Sequence, residues 1–186
     1  MTTFIALLRG INVGGKNKIK MADLKSMFEA IGMSRVKTYI QSGNVLFESN
    51  QEEEAIRQKL EKEIEVTFGF SIKVILRTSQ ELKKVAENCP FSQDEIAAAE
   101  ATAEGESLYV SFLLQEPSEE AIKRIEAYKS ETEEYKIVDR DMYLLFPHSI
   151  LKSKLANNLQ KLDVPVTVRN WKTVNKLVSL VNEMQG

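Results

Sequence analysis

VKTYIQ (residues 36–41) and NVLFES (residues 44–49) are two short runs of β-forming residues split only by Ser42-Gly43, which is the signature of a hairpin. Before this hairpin, Leu24, Met27, Phe28 and Ile31 recur at i, i+3, i+4 and i+7, the apolar stripe of a helix, and Gly32 supplies its stop. TFIALLR (3–9) precedes that helix as a strand. After the hairpin, Asn50 and Glu53 have the spacing of a capping box. They open a helix whose face is Ile56, Leu60 and Ile64 and which ends at Phe68-Gly69; IKVILR (72–77) is the next strand. The order is strand, helix, strand, strand, helix, strand.

The order then repeats. Thr78 with Glu81 opens a helix carrying Leu82 and Val85, which stops at Asn88-Cys89-Pro90. Residues 92–106 are rich in Ala and Glu with little apolar periodicity, so they read as a partly helical, mobile connector. LYVSFLL (108–114) is a strand, and Ser118 starts a helix with Ile122 and Ile125. YKIV (135–138) and MYLLF (142–146) flank a turn at Asp139-Arg140-Asp141. Leu151, Leu155, Leu159 and Leu162 stripe one further helix, VPVTV (164–168) is a short strand, and a last helix from near Asn170 presents Trp171, Val174, Val178 and Val181. The expected fold class is α+β, with two ferredoxin-like βαββαβ units in tandem. The first spans residues 1–77, a helix and connector follow over 78–106, and the second spans 107–186 with the C-terminal helix. The repeat is one of order, without convincing residue identity. Phe4, Ala6 and Leu8 alternate with Ile5 and Leu7, so both faces of the first strand require cover.

Composition sets outer limits. The chain has 186 residues, 43% hydrophobic and 28% charged, which is ordinary globular usage. One cysteine, Cys89, and one histidine, His148, exclude a disulfide framework and a Cys/His zinc site within one chain, and no metal site is expected. The apolar run Phe4 to Leu8 is far short of the ~20 residues of a membrane span and lacks the flanks of a secretory signal. A cytoplasmic protein without a membrane partner is expected. The net charge of −2 hides a division. Residues 1–49 hold seven Lys/Arg against three Asp/Glu, residues 50–146 twelve against twenty-two, and residues 147–186 six against two. Two basic ends flank an acidic middle, a pattern that bears on partners rather than on fold.

In a βαββαβ unit the first strand–helix loop and the hairpin turn share one edge of the sheet. That edge collects Arg9, Asn12, Gly14, Gly15, Lys16, Asn17 and Lys18 from the loop over 9–20, and Gln41, Ser42, Gly43 and Asn44 from the turn. Long loops are more often functional than short ones. Gly10, four residues, then Gly15-Lys16 matches G-x-x-x-x-G-K after a strand. Asn17 stands where a P-loop needs a hydroxyl for magnesium, and the helical stripe begins several residues later, so an NTPase site is not expected. What remains is a nest of backbone amides with cations nearby, suited to an anion. Lys154 and Arg169 in the basic C-terminal segment would add charge if the halves faced each other. Trp171 reads as packing, His148 as structural because no partner is visible in sequence, and Cys89 as an inert buried thiol. The glutamates of 52–65 and 116–134 read mostly as solvated helix faces.

ALLRGINVGGKNKIKMADLKSMFEAIG, TYIQSGNVLF, and the later SKL and RNWKTVNKL closely resemble the family catalogued as domain of unknown function 1697. The resemblance runs from near residue 3 to near 182. Its motif falls on Arg9 to Lys18, Tyr39 to Val45, Ser153 to Leu155 and Arg169 to Trp171. It implies a bacterial-type protein with paired α+β subdomains of ferredoxin-like character, and it implies no activity and no cofactor.

Three functions follow as expectations. The first is binding of a small anionic or phosphorylated ligand at the loop and hairpin edge, with Arg9 and Lys16 for charge, Gly14 and Gly15 for N–H donors, and Gln41, Ser42 and Asn44 for neutral recognition. An enzymatic step there is left open, with no general base identified and Lys16 the only candidate for one. The second is nucleic-acid binding through the basic ends, against which stand the acidic middle and the absence of an aromatic RNP1 pattern in NVLFES. The third is an interaction module pairing through a sheet face.

Overall fold

The computed structural model describes residues 1–186 and divides into two units. The first comprises Met1–Lys83 with Leu177–Gly186, and the second comprises Lys84–Lys176. The chain passes between the units inside two helices, within α3 (Ser79–Glu87) and within the last helix (Trp171–Gln185).

In the first unit, β1 (Thr2–Leu8), α1 (Met21–Ala30), β2 (Ser34–Tyr39), β3 (Asn44–Ser49), α2 (Glu53–Phe68) and β4 (Val74–Thr78) follow the expected order. The strands form an antiparallel sheet in the order β2-β3-β1-β4. Phe4, Ala6 and Leu8 of β1 join Val45, Phe47 and Leu76 on the face covered by α1 and α2. Phe47 stacks on Phe4 at 5.7 Å and meets the edge of Phe28 at 5.4 Å, an arrangement that adds to the area these rings bury. The opposite face holds Ile5, Leu7, Leu46, Ile75 and Arg77, all fully buried, as the double-sided apolar pattern of β1 requires. Lys37, beside Leu46 on that face, pairs with Glu183 at 3.3 Å, and Gln185 bonds to Ser79, so the end of the last helix is held to this unit.

Local signals account for most of the boundaries. Gly32 at φ +96° ends α1 with the paired bonds Gly32 N to Glu29 O and Met33 N to Phe28 O, the geometry that turns a chain sharply out of a helix. Thr78 and Glu81 exchange both capping-box bonds at the head of α3. Asn50 caps nothing. The Ser49 hydroxyl instead accepts the Gln51 N–H, the chain turns there, and α2 begins at Glu53 with no side-chain cap.

The second unit repeats the plan. The end of α3 leads into α4 (Gln93–Glu100), β5 (Leu108–Leu113), α5 (Glu119–Glu126), β6 (Glu134–Val138), β7 (Asp141–Leu145), α6 (Lys154–Asn157) and β8 (Val166–Asn170). The sheet order is β6-β7-β5-β8, again antiparallel. Leu113, Ile125, Met142, Leu144, Phe146 and Leu155 form its core. The segment expected to be a mobile connector is tied to this unit. A full capping box at Ser92 and Glu95 starts α4, Phe91 is buried, and the Thr102 hydroxyl donates to Pro147 O at 2.8 Å.

The leucine stripe from 151 to 162 does not form one helix. It breaks into a 3-10 turn (Ile150–Lys152), α6, and a second 3-10 turn (Leu159–Leu162). Ser153 caps α6, Asn157 bonds back to Leu151 O, and Asn158 bonds back to Lys154 O, so short polar side chains compete with the helical ladder. Leu151 is left exposed while Leu155, Leu159 and Leu162 are buried. The final helix, α7 (Trp171–Gln185), starts as expected, with Asn170 Oδ1 accepting the Thr173 N–H. Ser118 accepts the Ala121 N–H at the head of α5, and Ser118→Ala should cost about 1 kcal/mol in chemical denaturation, the usual worth of such a cap.

A residue-level echo of the repeat emerges only in the register. Arg77 lies opposite Ile5 at the fourth position of β4, and Arg169 lies opposite Val110 at the fourth position of β8. Both arginines are buried.

Candidate functional site

The loop between β1 and α1 is built by its own asparagines. Asn12, at φ +55°, accepts the Ile19 N–H on Oδ1 at 2.9 Å and donates from Nδ2 to Ile19 O at 3.0 Å and to Gln41 O at 2.8 Å. Its side chain acts as a strand partner for one residue and ties the loop to the hairpin turn. Asn17, at φ +50°, donates from Nδ2 to Gly10 O, and its own carbonyl accepts the Asn12 N–H. Asparagine is the residue type, glycine apart, that most readily takes this left-handed backbone.

Within the loop, Val13 and Lys16 pair across Gly14-Gly15, and Lys16 N donates to Val13 O at 3.0 Å. Both glycines have positive φ, as a two-residue hairpin turn requires. They form an exposed tip. The first turn of α1 starts only at Met21, so the arrangement is not a P-loop.

The hairpin turn is fixed from below. Asn44 is fully buried and donates to Tyr39 O and to the Ser42 hydroxyl. Leu8 N donates to Gly43 O at 2.9 Å. A Cβ on Gly43 would sit 2.9 Å from Leu8 Cβ and 2.7 Å from Ile11 Cδ1. Ser42, Gly43 and Asn44 therefore shape the edge, and Asn44 is closed off from solvent.

Two cavities open beside this loop, and the expected site residues divide between them. One, about 440 Å³, is lined by Arg9, Gly10 and Asn17 against Glu61, Lys62, Glu65 and Lys73. Its charges are mixed, and Glu61 is already engaged by Arg57 and by the Val74 N–H. The other, about 760 Å³, is lined by Asn12, Gly15, Lys18 and Gln41 together with Ile19, Lys20, Met21 and Asp23. Gly14, Lys16, Ser42, Gly43 and Asn44 line neither. The sequence reading therefore missed Lys20, Met21 and Asp23. Their signal was the start of the helical stripe, which places the first turn of α1 next to the loop.

Lys154 and Arg169 belong to the second unit. Lys154 is exposed and lines a cavity of about 360 Å³ there, and Arg169 donates to the Thr167 hydroxyl and Val168 O. Burial lowers the guanidinium of Arg169 to about 10 from its ordinary value. Trp171 lies 6.3 Å from Tyr143, in keeping with packing. Cys89 is half-buried rather than buried. Glu133 is not on a solvated face but 1% exposed, and His148 is not without a partner, since its Nε2 lies 3.3 Å from Glu133 Oε2. No helix is long and apolar enough to cross a membrane, and no group of three or more His, Cys, Asp or Glu is placed to hold a metal ion.

Comparison with known proteins adds a fold and a family. The conserved bacterial protein SP0830 from Streptococcus pneumoniae has a similar structure, with a TM-score of 0.73 at 24% identity, over 96% of this chain and 97% of that one. No curated protein matches the chain. The family described as "Protein of unknown function (DUF1697)" matches residues 1–143, a span holding the whole first-unit loop, the hairpin and most of the second sheet, and the chain belongs to that family.

Proposed function

We propose that the 760 Å³ cavity of the first unit binds a small anionic metabolite, with a phosphate or carboxylate group seated at the start of α1. One observation carries this reading. Lys20 occupies the N-cap of α1 without any side-chain capping bond, so no side chain caps the first N–H groups of the helix where the cavity opens. Uncapped amides at a helix N-terminus, reinforced by the dipole, favour an anion. Lys18 and Lys20 add two cations against the single carboxylate of Asp23. Ile19 and Met21 give the ligand's carbon skeleton an apolar surface, and Asn12 holds that wall against the hairpin. The chemistry supported is recognition rather than a bond-making step. We also read each unit as ferredoxin-like from its element order and sheet order, and the protein as a cytoplasmic one. The central strands β1 and β3 are buried on both faces, which disfavours an RNA platform or a pairing surface on that sheet.

The test is thermal denaturation against a panel of nucleotides and sugar phosphates at constant ionic strength. A ligand at 100 times its Kd should stabilise by about 2.7 kcal/mol. Lys18→Ala/Lys20→Ala should abolish most of that shift, and Lys62→Ala, which alters the other cavity, should leave it intact. An unresponsive melting curve across the panel, or equal loss in both variants, contradicts the assignment.

A further inference from the structure

The second unit contains a buried carboxylate whose environment is incomplete. Glu133 is 1% exposed, and its Oε1 accepts the Ser130 N–H at 2.9 Å. Its Oε2 has no hydrogen-bond partner, although His148 Nε2 lies 3.3 Å away within ion-pair range. A buried acceptor left without a donor is costly and rare, so the position calls for a donor. Glu133 and His148 both line the 360 Å³ cavity, together with Ser130, Lys129, Lys152 and Lys154. Lys152 and Lys154 pair with no carboxylate of this chain.

A Ser, a His and a Glu in one cavity invite comparison with a hydrolytic triad, and the geometry rejects it. In a triad, one imidazole nitrogen faces the carboxylate and the other faces the nucleophile. Here Nε2 faces Glu133, Nδ1 lies 3.0 Å from Ser149 O, and the ring stacks on Phe146 at 5.8 Å. Neither nitrogen is placed to take a proton from Ser130. The ring is a fixed wall, and the groups left to meet a ligand are the lysine ammoniums and the open lone pair of Glu133.

We propose that this cavity is a second binding site, for a small hydroxylated phosphate ester of the size of a sugar phosphate. The phosphate pairs with Lys152 and Lys154, whose donors are unused, and a ligand hydroxyl donates to Glu133 Oε2. The carboxylate repels an anion with no proton to give and favours one that carries a donor, so it selects the hydroxylated ester over sulfate, which has no O–H at neutral pH. The site is separate from the one proposed in the first unit and depends on none of its residues.

His148 is the chain's one histidine, so its ring Cε1–H gives a single, unambiguous proton resonance. Glucose 6-phosphate should move that resonance saturably, at concentrations about tenfold lower than sulfate needs, and glucose or sodium chloride of equal ionic strength should leave it in place. Lys152→Ala/Lys154→Ala should weaken glucose 6-phosphate by about tenfold or more. Glu133→Gln, which puts a neutral amide at the acceptor, should bring the ester and sulfate to within about threefold of each other. Lys18→Ala/Lys20→Ala should change none of this. No saturable movement with glucose 6-phosphate, equal affinity for ester and sulfate in the unaltered protein, or indifference to Lys152→Ala/Lys154→Ala overturns the proposal, even where Glu133→Gln fails to fold.

Discussion

Gly43→Ala should destabilise the first unit by about 3 kcal/mol, seen as a lower urea midpoint at unchanged slope. Two independent penalties combine. The backbone at φ +88° is left-handed, which costs an L-residue roughly 1–2 kcal/mol. The new methyl group also meets Leu8 Cβ at 2.9 Å, an atom fixed directly to the backbone of β1, and crowding of this kind costs about 1–3 kcal/mol. Ile11 Cδ1, at 2.7 Å, can rotate away, but Leu8 Cβ cannot move without the strand. Gly14→Ala isolates the first penalty. Gly14 also has positive φ, at +58°, yet a Cβ there meets nothing within 4 Å. Its cost should stop at roughly 1–2 kcal/mol. If the two variants are equally destabilised, the turn does not approach β1 closely enough to exclude a methyl group.

Asn12→Ala should cost about 2–3 kcal/mol, since each of its three side-chain bonds is worth about 1 kcal/mol net. The loss falls on a partly buried pair of backbone groups at Ile19 and on the link to Gln41. Asn12→Asp separates these contributions. It keeps the acceptor for the Ile19 N–H and sets a carboxylate oxygen against the carbonyls of Ile19 and Gln41, so it should be at least as harmful as alanine. Hydrogen exchange at the Ile19 amide should accelerate far more in Asn12→Ala than in Asn12→Asp. Equal protection in both would mean that Oδ1 does not hold that amide.

Much of this architecture was legible because local chemistry and long-range packing agree. Ser42-Gly43 between two β-rich runs is a turn on any reading, and Gly32 after an apolar stripe is a helix stop. The alternating pattern of β1 announced two buried faces, and both are buried. Where short polar residues had two uses, the reading failed. Asn50 was spaced to cap α2, but Ser49 turned the chain first. Asn157 and Asn158 lay within a leucine stripe that had the right period for one helix, yet their side chains bond to the ladder and break it.

The site shows the same limit in a sharper form. The loop and hairpin edge was visible from topology, and Asn12 does join them. Residue type alone gave no means of telling a recognition group from a strut. Asn12 and Asn17 have their side-chain bonds within the loop or to the hairpin, and Asn44 is buried, whereas Lys20, at the end of the loop, heads α1 and lines the cavity. Glu133 and His148 are fifteen residues apart with no shared periodicity, and only folding brings them together. Arg77 and Arg169 likewise became equivalent only once the strand registers were known.

The central claim is that an anion binds at the start of α1. It is tested most directly by mapping backbone amide shifts during titration with the phosphate ester that most raises the melting temperature. Within the first unit, the account predicts saturable movement confined to Gly15, Lys18 to Asp23 and Gln41, lost in Lys18→Ala/Lys20→Ala. Movement centred instead on Arg9, Lys62 and Lys73, or spread without saturation over exposed lysines, would contradict it.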